Sequence, residues 1–203
     1  IDCNGEQGSC NNGVCVQSIS LGSCGVHNDN EDGTCTATLG IDYIIEDGYV
    51  GLNPEETIVT RANNSVYIIV TLAYRGYIEW NISSLPNNLA RDNIKTISFK
   101  YNGTGSDNDK KEQIYSLKTL RPSTSSNEDL YNNISAEEIY VNVDNDFILN
   151  GLHTLILYNP STLTEAQSDL YNHLSLDWFA VGLFATASSV YNEAIFSSET
   201  GEQ

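Results

Sequence analysis

The residues best equipped for chemistry lie at one end of the chain. Cys3, Cys10, Cys15, Cys24 and Cys35 all fall within the first 35 of 203 residues, and no cysteine follows them. Cysteine sulfur can form disulfides or, as thiolate, hold a metal. No C-x2-C pair occurs and the intervals are irregular, so disulfides are favoured over a zinc knuckle. The surrounding Gly/Asn/Ser-rich stretch has almost no hydrophobic periodicity, and burial alone could not hold it. The pairing stays open. Five is an odd number, so one sulfur is left over, either free or able to join another chain.

Carboxylates and amides form the second chemical resource. In His27-Asn28-Asp29-Asn30-Glu31-Asp32-Gly33, the side chains of Asn28, Asn30 and Asp32 place oxygens at alternate positions before a glycine, like the first half of a calcium-binding EF-hand loop. The twelfth position is Leu39 rather than Glu, so the bidentate ligand is missing, and a plain solvated Asx turn is the competing reading. Asn142, Asp144 and Asp146 form another alternating set, and Asp42, Glu46 and Asp47 a third. A structural calcium is therefore the one optional cofactor, and none is required.

Catalytic patterns are missing. The histidines are His27, His153 and His173, with no H-E-x-x-H pair, no G-x-S-x-G elbow, no phosphate-binding loop and no dinucleotide-binding glycine motif. Many acid pairs could be nominated for glycoside chemistry, and the sequence selects none. The chain is read as non-catalytic. Tyr43, Tyr49, Tyr74, Tyr77, Tyr101 and Tyr115 could build an aromatic platform for a sugar, although tyrosines on a sheet serve equally as interface or decoration. Trp80 and Trp178 sit in alternating patterns that suit core packing.

Nine basic against 27 acidic residues give a net charge of −18. Such a surface repels phosphate backbones and anionic lipid, which argues against nucleic acid as a partner. No apolar run approaches the ~20 residues of a membrane-spanning helix, so no membrane insertion is expected. The sequence begins at Ile1 and contains no Met, which reads as a processed chain. With clustered cysteines and the N-x-[ST] sequons at Asn63, Asn81, Asn102 and Asn133, this points to an extracellular or cell-surface glycoprotein.

These groups must be positioned by the elements around them. Residues 1–40 form the Cys-rich segment, with turn dipeptides at Asn4-Gly5 and Asn12-Gly13. From residue 41 to 203 the pattern is short strands between turn signals. SVYIIVTLAY (65–74) suits a strand covered on both faces. In 76–82, Tyr77, Glu79 and Asn81 alternate with Ile78, Trp80 and Ile82, the signature of a half-buried strand, and 95–101 alternates similarly. Further strands are expected near 112–118, 138–143, 153–158, 178–185 and 192–196. One short helix is expected where Thr162 and Glu165 suit a capping box and Leu163, Ala166, Leu170 and Leu174 keep helical spacing. RPSTSSNED (121–129) reads as an exposed, mobile loop. The expected fold is all-β, a jelly-roll β-sandwich behind a small disulfide-stapled N-terminal segment.

Two resemblances add to this. The C-x6-C-x4-C spacing of the first three cysteines, with Gly13 before Val14-Cys15, partly resembles an EGF-like module, which uses six cysteines. Arg75-Gly76-Tyr77-Ile78-Glu79-Trp80-Asn81-Ile82-Ser83-Ser84-Leu85-Pro86, Asp177-Trp178-Phe179-Ala180-Val181-Gly182-Leu183 and Ala194-Ile195-Phe196-Ser197-Ser198-Glu199 are similar to segments of DNRLRE-type extracellular domains, over about residues 42–200. That family implies a jelly-roll related to carbohydrate-binding modules. Jelly-roll relatives often hold a structural calcium, which would bring Asp42, Asp47 and Glu199 together. Here Asn81 replaces a frequent Asp and Ser198 a frequent Arg. The functional expectation is a structural subunit of a filament or matrix, assembling with other copies of itself through the N-terminal segment. The alternative is a secreted, lectin-like carbohydrate-binding module or adhesin, with glycans as partners.

Overall fold

Strand β13 (Trp178–Thr186) shows how this sequence builds its architecture. Phe179, Val181 and Leu183 point into one apolar cluster, while Trp178, Ala180 and Phe184 join another. A strand with period-2 side chains can serve two packed layers only if both faces are covered. In this computed structural model the described residues are 9–11, 14–16, 28–29, 35–39, 41–52, 59–63, 66–69, 74–104, 111–144, 151–162, 164–186 and 193–196.

The chain divides into two units, Ile1–Thr38 and Leu39–Gln203. In the first, β1 (Ser9–Asn11) pairs antiparallel with β2 (Val14–Val16), setting Cys10 opposite Cys15 in register. Likewise β3 (Asn28–Asp29) pairs with β4 (Cys35–Thr36).

The second unit contains β5 (Ile44–Leu52), β6 (Val59–Asn63), β7 (Val66–Ile69), β8 (Arg75–Asn81), β9 (Ile97–Thr104), β10 (Lys111–Ser116), β11 (Ile139–Asp144), β12 (Gly151–Tyr158), β13 and β14 (Glu193–Phe196). They form a six-stranded sheet, ordered β11-β10-β13-β8-β5-β6, and a four-stranded sheet, β12-β9-β14-β7. Every pairing is antiparallel. Ile78, Ile114, Phe179, Val181 and Leu183 from the larger sheet meet Phe99 and Leu157 from the smaller, so the unit is all-β and sandwich-like. Strands β5 and β6 went unread in the sequence, β5 because Gly48 and Gly51 and the acidic Glu46-Asp47 dilute its apolar pattern.

Among the described residues there are two α-helices rather than one: α1 (Asn127–Asn133) and α2 (Ala166–His173). The expected capping box is not formed. Thr162 hydrogen-bonds Asn159 in a preceding turn, and Glu165 is the N-cap of α2 without a side-chain cap bond. The segment expected as an exposed loop at 121–129 instead holds a 3-10 turn, Pro122–Thr124, and the start of α1. Ser126 caps that helix by accepting from the Asp129 amide at 3.1 Å, and Pro122 is buried.

Candidate functional site

The polar groups of greatest interest lie on the outer face of the six-stranded sheet, beneath the excursion that links β10 to β11 and includes α1. Leu117, Leu130 and Ile134 from this excursion are fully buried against Val50, Tyr77, Trp178 and Ala180 of the sheet. Gly182 of β13 provides the seat, because a Cβ there would stand 3.0 Å from Ile134 Cγ2. The outward positions of β8, which alternation marks as the wetter side, are therefore covered too.

That covering places carboxylates in a dry environment. Glu46 on β5 and Glu79 on β8 face each other in register, a pairing that two like charges would oppose. Each has its own arginine. Arg61 from β6 lies 2.6 Å from Glu46 Oε1, and its Nε donates to the Tyr77 hydroxyl at 2.7 Å. Tyr77 in turn donates to Glu46 Oε1 at 2.9 Å. Burial, only partly offset by Arg61, holds the Tyr77 hydroxyl protonated far above the usual tyrosine range, and Glu46 pushes the same way. Arg61 also donates to the carbonyls of Pro122, at 2.8 Å, and Ser125, at 3.3 Å.

Glu79, with no exposed surface, accepts from Arg121 Nε at 2.8 Å, from the Ser123 amide at 2.7 Å and from its hydroxyl at 3.1 Å. Arg75 donates to the Tyr131 carbonyl and to Ser135 Oγ, and its guanidinium lies over the Tyr131 ring at 4.0 Å. Three arginines thus fasten the excursion to the sheet.

A second polar cluster sits where α2 meets the sandwich. Asp169 Oδ2 accepts from Ser116 Oγ at 2.9 Å and Tyr140 Oη at 2.5 Å, and Lys118 Nζ is 3.6 Å from Oδ1. Burial first, then the bond to Asp169, keeps the Tyr140 hydroxyl protonated well beyond its usual range. His173, also buried, faces the Trp178 carbonyl with Nδ1 at 3.1 Å and the Lys118 carbonyl with Nε2 at 3.0 Å. The buried acids Glu79 and Asp169 are thus each engaged by several partners from their own fold, an arrangement that ties segments together.

Some of the residues singled out from the sequence lie among the described residues and others outside them. Asp42 is exposed in the 3-10 turn Ile41–Tyr43, whereas Asp47 is buried in β5. Asp47 Oδ2 has no hydrogen-bond partner among the described residues. Asn28 lies in β3, and Asn30, Asp32 and Glu199 lie outside the described residues. No group of three metal-ligating side chains occurs among the described residues. Cys10, Cys15 and Cys35 are placed by backbone only, and Cys3 and Cys24 fall outside the described residues. Asn63 ends β6 and Asn102 lies in β9, both placed by backbone. Asn81 is exposed at the end of β8, and Asn133 is half-buried at the end of α1.

The described tyrosines do not form one exposed platform. Tyr77 and Tyr115 are buried, while Tyr49 and Tyr74 stack on each other with centroids 4.7 Å apart. The stack explains Gly51, where a Cβ would fall 1.9 Å from Tyr74 Cδ1. Trp80 and Trp178 pack in the two apolar clusters, as their alternation suggested. Among the described residues Tyr171 is an exposed tyrosine, 42% accessible on α2. It lines an open depression of about 420 Å³ with Ala90, Arg91, Asp92, Ser168 and Asn172. The sequence signal for it was its position off the Ala166/Leu170/Leu174 stripe. No helix among the described residues is long and apolar enough to cross a membrane. The sequence matches no protein-family model and no curated protein.

Proposed function

We propose that this chain is a non-catalytic extracellular structural protein, a subunit of a cell-surface filament or matrix that assembles with other copies of itself through its N-terminal unit. The observation that carries the reading is the division at Thr38: the small unit holds every cysteine, and the larger one has a self-contained core between two sheets. A unit stapled rather than packed is the natural one to dock on a neighbour, and the odd sulfur offers a covalent link. The engagement of Glu79 and Asp169 by partners from their own fold supports a scaffold role. The DNRLRE-type jelly-roll reading is proposed with it, supported by the repeated crossing of the chain between the two sheets from β7 to β14, interrupted only where β10 and β11 pair within the larger sheet. Electron microscopy and non-reducing gels of the native protein test the assembly. Polymers with a reducible intermolecular link are expected, and monodisperse particles without one would overturn it.

The depression beside Tyr171 favours a second reading, a glycan-binding module. An exposed aromatic ring flanked by Arg91, Asp92 and Asn172 combines an apolar face with hydrogen-bonding groups, as sugars require. A glycan array that is blank, or unchanged by Tyr171→Ala, removes it. Calcium fits one residue of the set: the buried Oδ2 of Asp47, without a hydrogen-bond partner among the described residues, is a donor a hard cation would satisfy. Chelation is expected to lower the melting temperature of the protein and to leave Asp47→Asn unmoved, read by calorimetry.

A further inference from the structure

Four sequons are present, and for two of them, Asn81 and Asn133, the structure gives the side-chain surroundings. They differ at the atom that matters. In N-glycosylation the amide Nδ2 forms a bond to the anomeric carbon of an oligosaccharide. The bond from that carbon to the phosphate oxygen of a polyprenyl-phosphate-linked donor breaks, the phosphate keeps the electron pair, and one Nδ2 proton passes to base. The Nδ2 of a modified asparagine must therefore look outward, with room for a pyranose ring.

At Asn81 these conditions hold. The residue is exposed at the last position of β8, opposite Trp178 in register. Its Oδ1 accepts from the Ser83 amide at 2.9 Å, which fixes the side chain and turns Nδ2 away from the backbone. Among the described residues Nδ2 has no acceptor, and the third sequon residue, Ser83, is exposed as well. The middle residue, Ile82, is fully buried and anchors the strand end by donating its amide to the Asp177 carbonyl at 3.1 Å. A sugar on Nδ2 would thus leave the strand end on its exposed side and displace no hydrogen bond among the described residues.

Asn133 is the opposite case. Its Nδ2 donates to the Asp129 carbonyl at 2.8 Å, at the end of α1, and the residue is half-buried. The following Ile134 is fully buried, and the Ser135 hydroxyl is engaged by Arg75 Nη1 at 3.0 Å. A glycan there would crowd the excursion that the three arginines pin down.

We infer that Asn81 carries an N-linked glycan and that Asn133 does not. The inference rests on the extracellular reading above. Its test is glycopeptide mass spectrometry of the full chain recovered from its native source, with peptide-N-glycosidase treatment as the control, alongside secreted variants from a glycosylating host. The Asn81 peptide is expected to be occupied and the Asn133 peptide bare. Asn81→Gln and Ser83→Ala should each remove the gel shift of one glycan, and Asn133→Gln should remove none. Ser83→Ala keeps the Asn81 side chain and its backbone bond, so loss of the shift there cannot be ascribed to misfolding around position 81. A secreted chain bare at Asn81, or occupied at Asn133, overturns the inference alone. A native protein retained inside the cell with every sequon bare overturns it together with the extracellular reading.

Discussion

The two faces of the six-stranded sheet are held by different physics. On the inner face Ile78, Phe179, Val181 and Leu183 meet the four-stranded sheet through apolar contact, with the Phe179 ring stacked between Trp80 and Tyr140 at 6.4 Å from each. On the outer face an apolar patch is present, but Arg61 and Arg75 of the sheet also hold carbonyls and a hydroxyl of the excursion, and Arg121 of the excursion holds the Glu79 carboxylate of the sheet. Apolar burial is non-directional and tolerates rearrangement; hydrogen-bonded charges fix one register and are expensive to leave half-made. The comparison teaches that a strand can be doubly covered without reading as a continuous apolar run.

The largest expected effect is on the inner face. Phe179→Ala should cost about 4 kcal/mol in chemical denaturation, by lost transfer energy and a cavity between the sheets. On the outer face Glu79→Ala should cost about 3 kcal/mol, since it strands Arg121 and the Ser123 amide, with the partial exposure of Arg121 keeping the figure from rising higher. Removing both charges, as in Glu79→Leu with Arg121→Leu, should recover most of that loss. A double variant as unstable as the single one would mean that the excursion is held by shape and not by charge.

Next in size is a pH effect. Tyr77 and Tyr140 are raised in the folded protein from an ordinary 10.0, so the unfolded chain ionises first. Their contribution is complete below the unfolded value and is lost as pH climbs from there toward the folded values. Stability should fall above pH 10, and Tyr77→Phe or Tyr140→Phe should flatten that fall, as followed by denaturant midpoints and tyrosinate absorbance. The smallest effect is at the cap: Ser126→Ala should cost about 1 kcal/mol and act on the outer face alone.

Much of the inner face was legible in the sequence. Alternation in 76–82 and 178–185 reflects β8 and β13, and β9, β11, β12 and β14 lie close to their expected positions because Ile, Val and Phe at period 2 admit few other readings. The outer face was not. Tyr77 and Glu79 read as the polar side of a half-buried strand, and nothing local to β8 announces that residues more than 40 positions away will cover them. Helix α1 hid for a related reason. Its seven residues, NEDLYNN, carry little helical pattern, and Leu130 finds its apolar partners only on the sheet. Tyr171 escaped notice because its one signal, a place off the Ala166/Leu170/Leu174 stripe, is shared by every outward residue of the helix.

The pinning of the excursion has a consequence for how the molecule breathes. Residues 121–135 share the three arginine anchors, so they should open as one cooperative step well below global unfolding, and their amides should exchange with solvent water together. In that opened form the outer face of the sheet, with Val50, Tyr77 and Ala180, would be wetted while the contact between the two sheets stays intact.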